Sequence, residues 1–450
     1  MPVSTMRVLL AFFRRRKLRI WIGYLLLALV ALSLESGDEL LGFIGLGECN
    51  SATLEARMLY QRFATAGYRK PRPHFVRLVV LSKTSVPKEV LASPCRKREF
   101  VSTVLRRVAS LSPALIVLDF SYSREVCRIG DDADGTTKLQ DAIRDVSQHI
   151  PIVIGADSQT EHELRMNKDQ DLPSLKEKGF TSRDQILDPL KLLFDANNVS
   201  YGLYRLDCDT RRIPIFWWVY PDKAAVMNRD SRVREPTLAY SAASQYDRDL
   251  STALRTIISK DEHPFTSFVP ESKFRPVPAM LLVCGHELRA AEDWRNCTAD
   301  FGKADVDSLK GGKIILIGEN SEYDQHESVF DEVPGYILQA NYIEALLDDR
   351  YFRPIWPLAE LCLAAIGILL VVIVFELCSS LLAGFFACVG LVTLISAICS
   401  LLSIYTGYFL AFWMPLVLVP FLEVLYGMRV RAGTHTATNG NTPQKLEEKS

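Results

Sequence analysis

Little in this chain of 450 residues points to nucleic acid or to catalysis. Lysine and arginine number 52 against 53 aspartates and glutamates, for a net charge of -1. No basic surface dominates, and phosphate binding needs clustered Lys and Arg, so nucleic acid is excluded as a main partner. No CxxC or Cys/His spacing suggests zinc, so neither a structural metal nor a cofactor is expected. No GxSxG elbow occurs. Gly311-Gly312-Lys313 precedes an apolar run, whereas a phosphate-binding loop follows a strand and reads GxxxxGK before Ser or Thr. Asp131 to Asp134 reads as a solvated turn ahead of a helix, and internal repeats are lacking.

Apolar sequence is what the chain has in quantity. Mean hydropathy is +0.09, high for a chain in which 23% of residues are charged, so apolar and charged segments are segregated. Leu18 to Leu34 is apolar apart from Arg19 and follows Arg14, Arg15, Arg16 and Lys17. It is just long enough to cross a hydrocarbon core as a helix. A cleaved signal peptide is the competing reading, but Glu35-Ser36-Gly37-Asp38-Glu39 offers no small-residue cleavage site. Pro357 to Phe375, Ser380 to Ser403 and Thr406 to Tyr426 form three more apolar runs, with Glu423 at the interface. Such runs leave no face for water, so three further spanning helices are expected.

The basic N-terminal flank belongs in the cytoplasm. Four crossings bring the C-terminus back to that side, in agreement with Arg429 and Arg431 and against Arg350 and Arg353. The expected organisation is a basic cytoplasmic segment over 1–17, a transmembrane helix over 18–34 and an external domain over 35–354. Three transmembrane helices over 355–427 and a disordered cytoplasmic tail over 428–450 complete it.

Six of the ten cysteines, Cys49, Cys95, Cys127, Cys208, Cys284 and Cys297, fall in the external domain. An even number in an oxidising compartment suggests disulfides, although six cysteines allow fifteen connectivities. Cys284 with Cys297 and Cys95 with Cys127 are the first choices, and Cys49 with Cys208 follows by elimination. Six unpaired buried thiols are the alternative.

Within the external domain the periodicity alternates. Ser51 to Thr65, Lys97 to Leu111 and Thr137 to Ser147 have helical spacing, and His74 to Leu81, Ala114 to Phe120 and Ile150 to Gly155 read as strands. Strands alternating with helices predict an α/β domain with a mostly parallel, mixed sheet flanked by helices. Val199 to Leu206 and Ile213 to Tyr220 read as a hairpin adding antiparallel strands to that sheet, followed by a helix around Ala239 to Ser259. Ala279 to Cys284 and Lys313 to Gly318 read as closing strands, and Gly335 to Leu347 as the final helix. Asp119, Asp157 and Glu319 each follow a strand. Ligands of open α/β sheets sit at the carboxyl ends of strands, so these acids, with Asp324 and His326 in the next loop, are the candidate binding residues for a cation, an amine or a small polar ligand. Acids after strands also serve simply to cap helix N-termini.

The stretch Gly312 to Phe352 resembles the end of the CHASE-type extracellular sensory domains, second type. The resemblance rests on the strand Gly312 to Gly318, on Asp324 and His326, on Pro334-Gly335-Tyr336 and on Ala345-Leu346-Leu347. It extends over roughly Ser36 to Tyr426, with Gln339 standing where such proteins often carry His. It implies a sensory module outside a bacterial inner (plasma) membrane that passes a signal to an output protein, and no catalytic residue. Gly427 to Ser450 is too short for an output domain, so the expected partners are the bilayer, a small ligand and a separate output protein, with homo-oligomers left open. A structural or assembly subunit of a membrane complex is the alternative function; an enzyme using the rim acids ranks behind both.

Overall fold

Short runs of β-branched residues form the centre of the domain. In a computed structural model, most of residues 72–120, 133–156, 198–219, 233–250, 264–284, 307–356 and 381–410 are described, with scattered positions besides. The chain divides into two compact units, Tyr68–Pro354 and a second made of Met1–Gly67 with Ile355–Ser450. In the first unit β1 (Val76–Ser82), β2 (Leu115–Asp119), β3 (Ile152–Ala156), β4 (Val199–Leu203), β8 (Val277–Pro278) and β9 (Ile314–Asn320) build a six-stranded sheet in the order β4-β3-β2-β9-β1-β8. Every pairing in it is parallel. Strand β9 enters last and takes the centre, between β1 and β2.

Alternate residues of a strand face opposite sides, and the two sides carry separate cores. Val79, Leu81, Ile116, Leu118, Ile154 and Ile317 join one cluster with Phe100, Val104, Leu139 and Ile143. These last four come from α2 (Pro94–Ala109) and α3 (Ala133–Ser147), which follow the short α1 (Lys88–Ala92) and β2 respectively. Helix α2 starts at a proline, and the Ser93 hydroxyl accepts a hydrogen bond from the Arg96 amide at 3.4 Å. Leu78, Val80, Val117, Val153 and Leu316 face the other way and join a second cluster. Leu238 and Ala242 of α4 (Leu238–Tyr246) and Ile337 and Ile343 of α7 (Gly335–Leu347) cover that side.

Three smaller antiparallel pairs lie outside the sheet: β5 (Phe216–Val219) with β6 (Val233–Pro236), β7 (Phe265–Thr266) with β12 (Tyr351–Pro354), and β10 (Gln325–Glu327) with β11 (Glu332–Pro334). Two expectations are corrected here. Strand β5 does not form a hairpin with β4. The chain leaves the sheet after β4, and Ile213 donates its amide to Pro264 O at 2.7 Å, so β5 pairs with β6 instead. Ala279 to Cys284 is a helix, α6, which follows the four-residue α5 (Glu271–Phe274) and the two residues of β8. A short apolar run of Ala, Met, Leu and Val suits a buried helix as well as a buried strand, and here β8 already holds the sheet edge. The helix expected around Ala239 to Ser259 ends at Tyr246.

Helix α7 is buried on all sides from Gly335 to Leu346. Its polar side chains fasten the segments around it. Asn341 Oδ1 accepts from the Val269 amide at 2.5 Å and its Nδ2 donates to Val269 O at 3.2 Å. The Tyr342 hydroxyl donates to Thr210 O at 2.8 Å. The Glu344 carboxylate accepts from the backbone amides of His74, Phe75 and Val76 at 2.9, 2.8 and 2.6 Å. Arg350 lies 3.8 Å from the same carboxylate and holds Asp348 at 2.7 Å. Glu344 thus joins the residues leading into β1 to those leading into β12.

In the second unit, α8 (Leu381–Thr406) is long and apolar enough to cross a membrane over Val389–Thr406, where mean hydropathy is 2.0. It is the one such helix among the described residues. Leu18 to Leu34, most of Ser51 to Thr65 and the run from Thr406 to Tyr426 beyond Leu410 lie outside the described residues, as does much of Pro357 to Phe375.

Glu344→Ala leaves the amides of His74, Phe75 and Val76 without their acceptor and removes the carboxylate 3.8 Å from the Arg350 guanidinium. The expected cost is about 3–5 kcal/mol of stability, read from denaturant unfolding of the full-length protein in detergent. A loss below about 1 kcal/mol, the scale of one ordinary hydrogen bond, would contradict this role.

Candidate functional site

The connections after β1 and β2 run to the side of α2 and α3, whereas the chain after β9 runs to α7 on the opposite side. The carboxyl ends of β2 and β9 therefore border a topological switch point, where open α/β sheets leave a crevice. Asp119, the last residue of β2, shares its parity with Leu115 and Val117 and so faces α7. Its register partner on β9 is Gly318. Continuing the pairing of Leu118 with Ile154 sets Asp119 opposite Gly155 on β3, and Gly155 pairs with Gly202 on β4. One acid thus sits in a row with three glycines across the sheet.

Those glycines explain how the acid becomes enclosed. A Cβ on Gly318 would lie 2.5 Å from Tyr336 Cβ, so the first turn of α7 rests directly on β9. A Cβ on Gly155 would lie 3.4 Å from the Tyr204 side chain, and one on Gly202 would lie 2.5 Å from Leu238 Cα at the start of α4. Tyr336 and Tyr204 thus cover the strands on either side of Asp119. Gln339, one helical turn after Tyr336, donates its Nε2 to Tyr204 O at 2.6 Å and so spans the gap between them.

Asp324 approaches from the loop after β9. Its amide donates to Ser321 O at 3.2 Å, and its carbonyl accepts from the Gly335 amide at 3.0 Å. A Cβ on Gly335 would come within 2.5 Å of the Asp324 carboxylate, so glycine is what lets that acid reach the first turn of α7. The helix N-terminus favours the negative charge. His326 Nε2 lies 2.9 Å from Asp324 Oδ1. The β10–β11 pairing holds the imidazole opposite Val333.

Asp119 has no hydrogen bond to its carboxyl among the described residues. Burial, reinforced by the Asp324 carboxylate, pushes its pKa up from 3.8 to about 8, although the residue as a whole keeps some solvent contact. Burial also raises the Tyr336 hydroxyl, with Glu271 adding to the shift.

The structure therefore brings Asp119, Asp324 and His326 together. Glu319 is separated from them: it faces the opposite side of the sheet, where it forms an ion pair with Lys97 of α2, and Lys97 also lies over the Phe120 ring. Asp157 lies outside the described residues, as do Cys49, Cys127, Cys208 and Cys297. Cys95 is disulfide-bonded. Cys284 ends α6, and its side chain is likewise outside the description. Tyr204 and Glu344 were missed in the sequence, and Tyr336 and Gln339 entered only through the family resemblance, with no place at the rim. The available signal was the glycine closing three strand runs, IVIG, SYG and ILIG, at the level where IVLD carries its acid.

Removing the ionisable group should stabilise the domain in a pH-dependent way. Between about pH 4 and pH 8 the folded state holds a proton on Asp119 that the unfolded chain releases, so this group's contribution to stability falls as pH rises through that window. Asp119→Asn should therefore gain stability over wild type, and the gain should grow by roughly 1–3 kcal/mol from pH 5 to pH 8, below the full shift because solvent reaches the residue. Thermal unfolding of both proteins at the two pH values reads it; a pH-independent difference would contradict the enclosure.

Residues 26–374 match the family model of the CHASE2 domain. Neither the curated proteins nor the solved structures contain a match to this chain. The match covers β1 through β12, including the whole of the Asp119, Asp324 and His326 rim. The chain belongs to the CHASE2 family, a family of extracellular sensory domains.

Proposed function

We propose that this protein is a membrane-anchored sensor whose extracytoplasmic domain binds a small ligand at the rim of Asp119, Asp324 and His326 and passes the signal through its membrane helices to a partner protein. The observation that carries this reading is the placement of α7. Its first turn rests on Gly318 beside Asp119, and its last turn holds Glu344 against the amides of His74, Phe75 and Val76 and near Arg350. Tyr336 and Glu344 are eight residues apart, about 12 Å along a helix. A displacement at the rim thus reaches the segments before β1 and at β12 through one rigid, buried element.

The membrane part of the reading rests on α8. Leu394 and Leu401 are 59% and 67% exposed. Apolar side chains on a helix of this length, left uncovered by protein, are suited to lipid. A ligand can bias the domain only by its difference in affinity between two arrangements. No bond-breaking step is assigned to the rim.

Two measurements test the proposal. Ser110→Cys, at an exposed position after α2, should react with a membrane-impermeant maleimide in intact spheroplasts; protection until lysis would reverse the topology. A panel of small amines, alcohols, sugars and carboxylates should contain at least one member that raises the melting temperature of the detergent-solubilised full-length protein. That rise should shrink in Asp324→Ala and His326→Ala. If nothing in the panel shifts wild type, and the proteins that co-purify are unchanged by both substitutions, a structural subunit replaces the sensor.

A further inference from the structure

We propose that the rim binds a compact organic ammonium ion, seated between Tyr336 and Tyr204 with its N–H groups donated to Asp119, Gln339 Oε1 and Asp324. The inference rests on the sensor reading above and adds the chemical class of the ligand.

Hydrogen-bonding capacity is left over at the rim. Gln339 is 1% exposed. Its Nε2 is used by Tyr204 O, which leaves Oε1 as a buried acceptor with no partner. A buried polar atom left in that state is costly, and native proteins fill such positions with a partner. The Asp119 carboxyl, in the strand row that Tyr336 and Tyr204 cover, is also unpartnered among the described residues. Asp324 engages His326 at one oxygen, Oδ1. Gln339 Oε1 and the second oxygen of Asp324 are thus open acceptors, and the Asp119 carboxyl becomes one when it gives up its proton. A carboxylate or phosphate would face them with acceptors of its own, while an ammonium group brings only donors.

Charge and aromatic side chains favour the same ligand. Asp119 lies near enough to Asp324 for the second acid to disfavour ionisation of the first, and a cation seated between them would offset that repulsion and favour loss of the Asp119 proton. Lys97, the basic group of the neighbouring helix, is engaged with Glu319 on the opposite side of the sheet and does not neutralise them. Tyr336 and Tyr204 bound the gap with aromatic side chains, and aromatic faces attract cations. The glycines at Gly318 and Gly155 bring both rings close to the sheet, so the gap suits a small head group. Among the described residues no group of three or more metal-ligating side chains is present, and an organic cation needs none.

The test uses three molecules of one shape and different charge: propylammonium, 1-propanol and propionate. Each is titrated against the full-length protein in detergent at constant ionic strength, with melting temperature and calorimetric heat as readouts and sodium chloride as the blank. Propylammonium should bind and stabilise, and the other two should not. Asp119→Asn and the near-isosteric Gln339→Met should each weaken it by about tenfold or more, the loss expected for one charge-assisted hydrogen bond. Asp145→Asn, a surface acid on α3, should leave it unchanged. Binding that survives in both Asp119→Asn and Gln339→Met would overturn the site. Binding of 1-propanol or propionate in place of the amine, lost in Gln339→Met, would overturn the ligand class while leaving the sensor reading standing. Silence from all three molecules, while another member of the wider panel binds at Asp324 and His326, would likewise overturn the class alone.

Discussion

The buried carboxylate of Glu344 is the interaction on which the architecture depends. A parallel sheet must bury both faces and still satisfy the backbone groups at the start of each strand. At β1 those groups are the amides of His74, Phe75 and Val76, and one acid on α7 accepts from all three. Burial pushes the Glu344 pKa up, against the three amides and Arg350, which pull it down. The carboxyl is therefore tolerated only because its partners are fixed in place. In turn the bond sets the position of α7 along the sheet, and with it the height of Tyr336 above Gly318. The rim geometry is thus a consequence of where the other end of the same helix is tied.

The rim presents the opposite case. Asp119 is surrounded and given no donor, so its charge is destabilised where that of Glu344 is compensated. Three glycines in its row let Tyr336, Tyr204 and the start of α4 approach the sheet closely. Such packing could bury a leucine equally well. Stability alone would favour that, since an enclosed acid without partners weakens a fold. An unsatisfied acid beside an unsatisfied amide oxygen is the mark of a place that another molecule completes.

Much of this was legible in the sequence. β-Branched runs separated by amphipathic helices announced a parallel α/β sheet, and Asp119, Asp324 and His326 were visible as acids and an imidazole after strands. Glu319 was visible too and proved to face away, because it directly follows Gly318 and alternation sends it to the other side. No local pattern announces such a choice until register is known. The run Ala279 to Cys284 failed for a related reason: six apolar residues carry too little periodicity to separate helix from strand. The partners of Gln339 and Glu344 were hidden because α7 is apolar nearly throughout. A polar residue in such a helix has a partner far away in sequence, 135 residues away for Gln339 and 268 for Glu344 with Val76.

The wiring of α7 also limits what kind of motion can carry a signal. Sliding the helix by a turn would break the bonds of Gln339, Asn341, Tyr342 and Glu344 together. At about 1 kcal/mol for each neutral bond, and more for the charged ones, such a slide costs most of the roughly 8 kcal/mol that a micromolar ligand supplies in total. Only the differential part of that energy is available for the shift. A pivot about Glu344 avoids the loss, since its bonds lie at one end of the helix and the rim lies at the other. The fixed point is then the junction with the segments leading to β1 and from α7 into β12. A small change in tilt at Tyr336 becomes a change of torque at that junction, where Arg350 and Asp348 continue directly into β12.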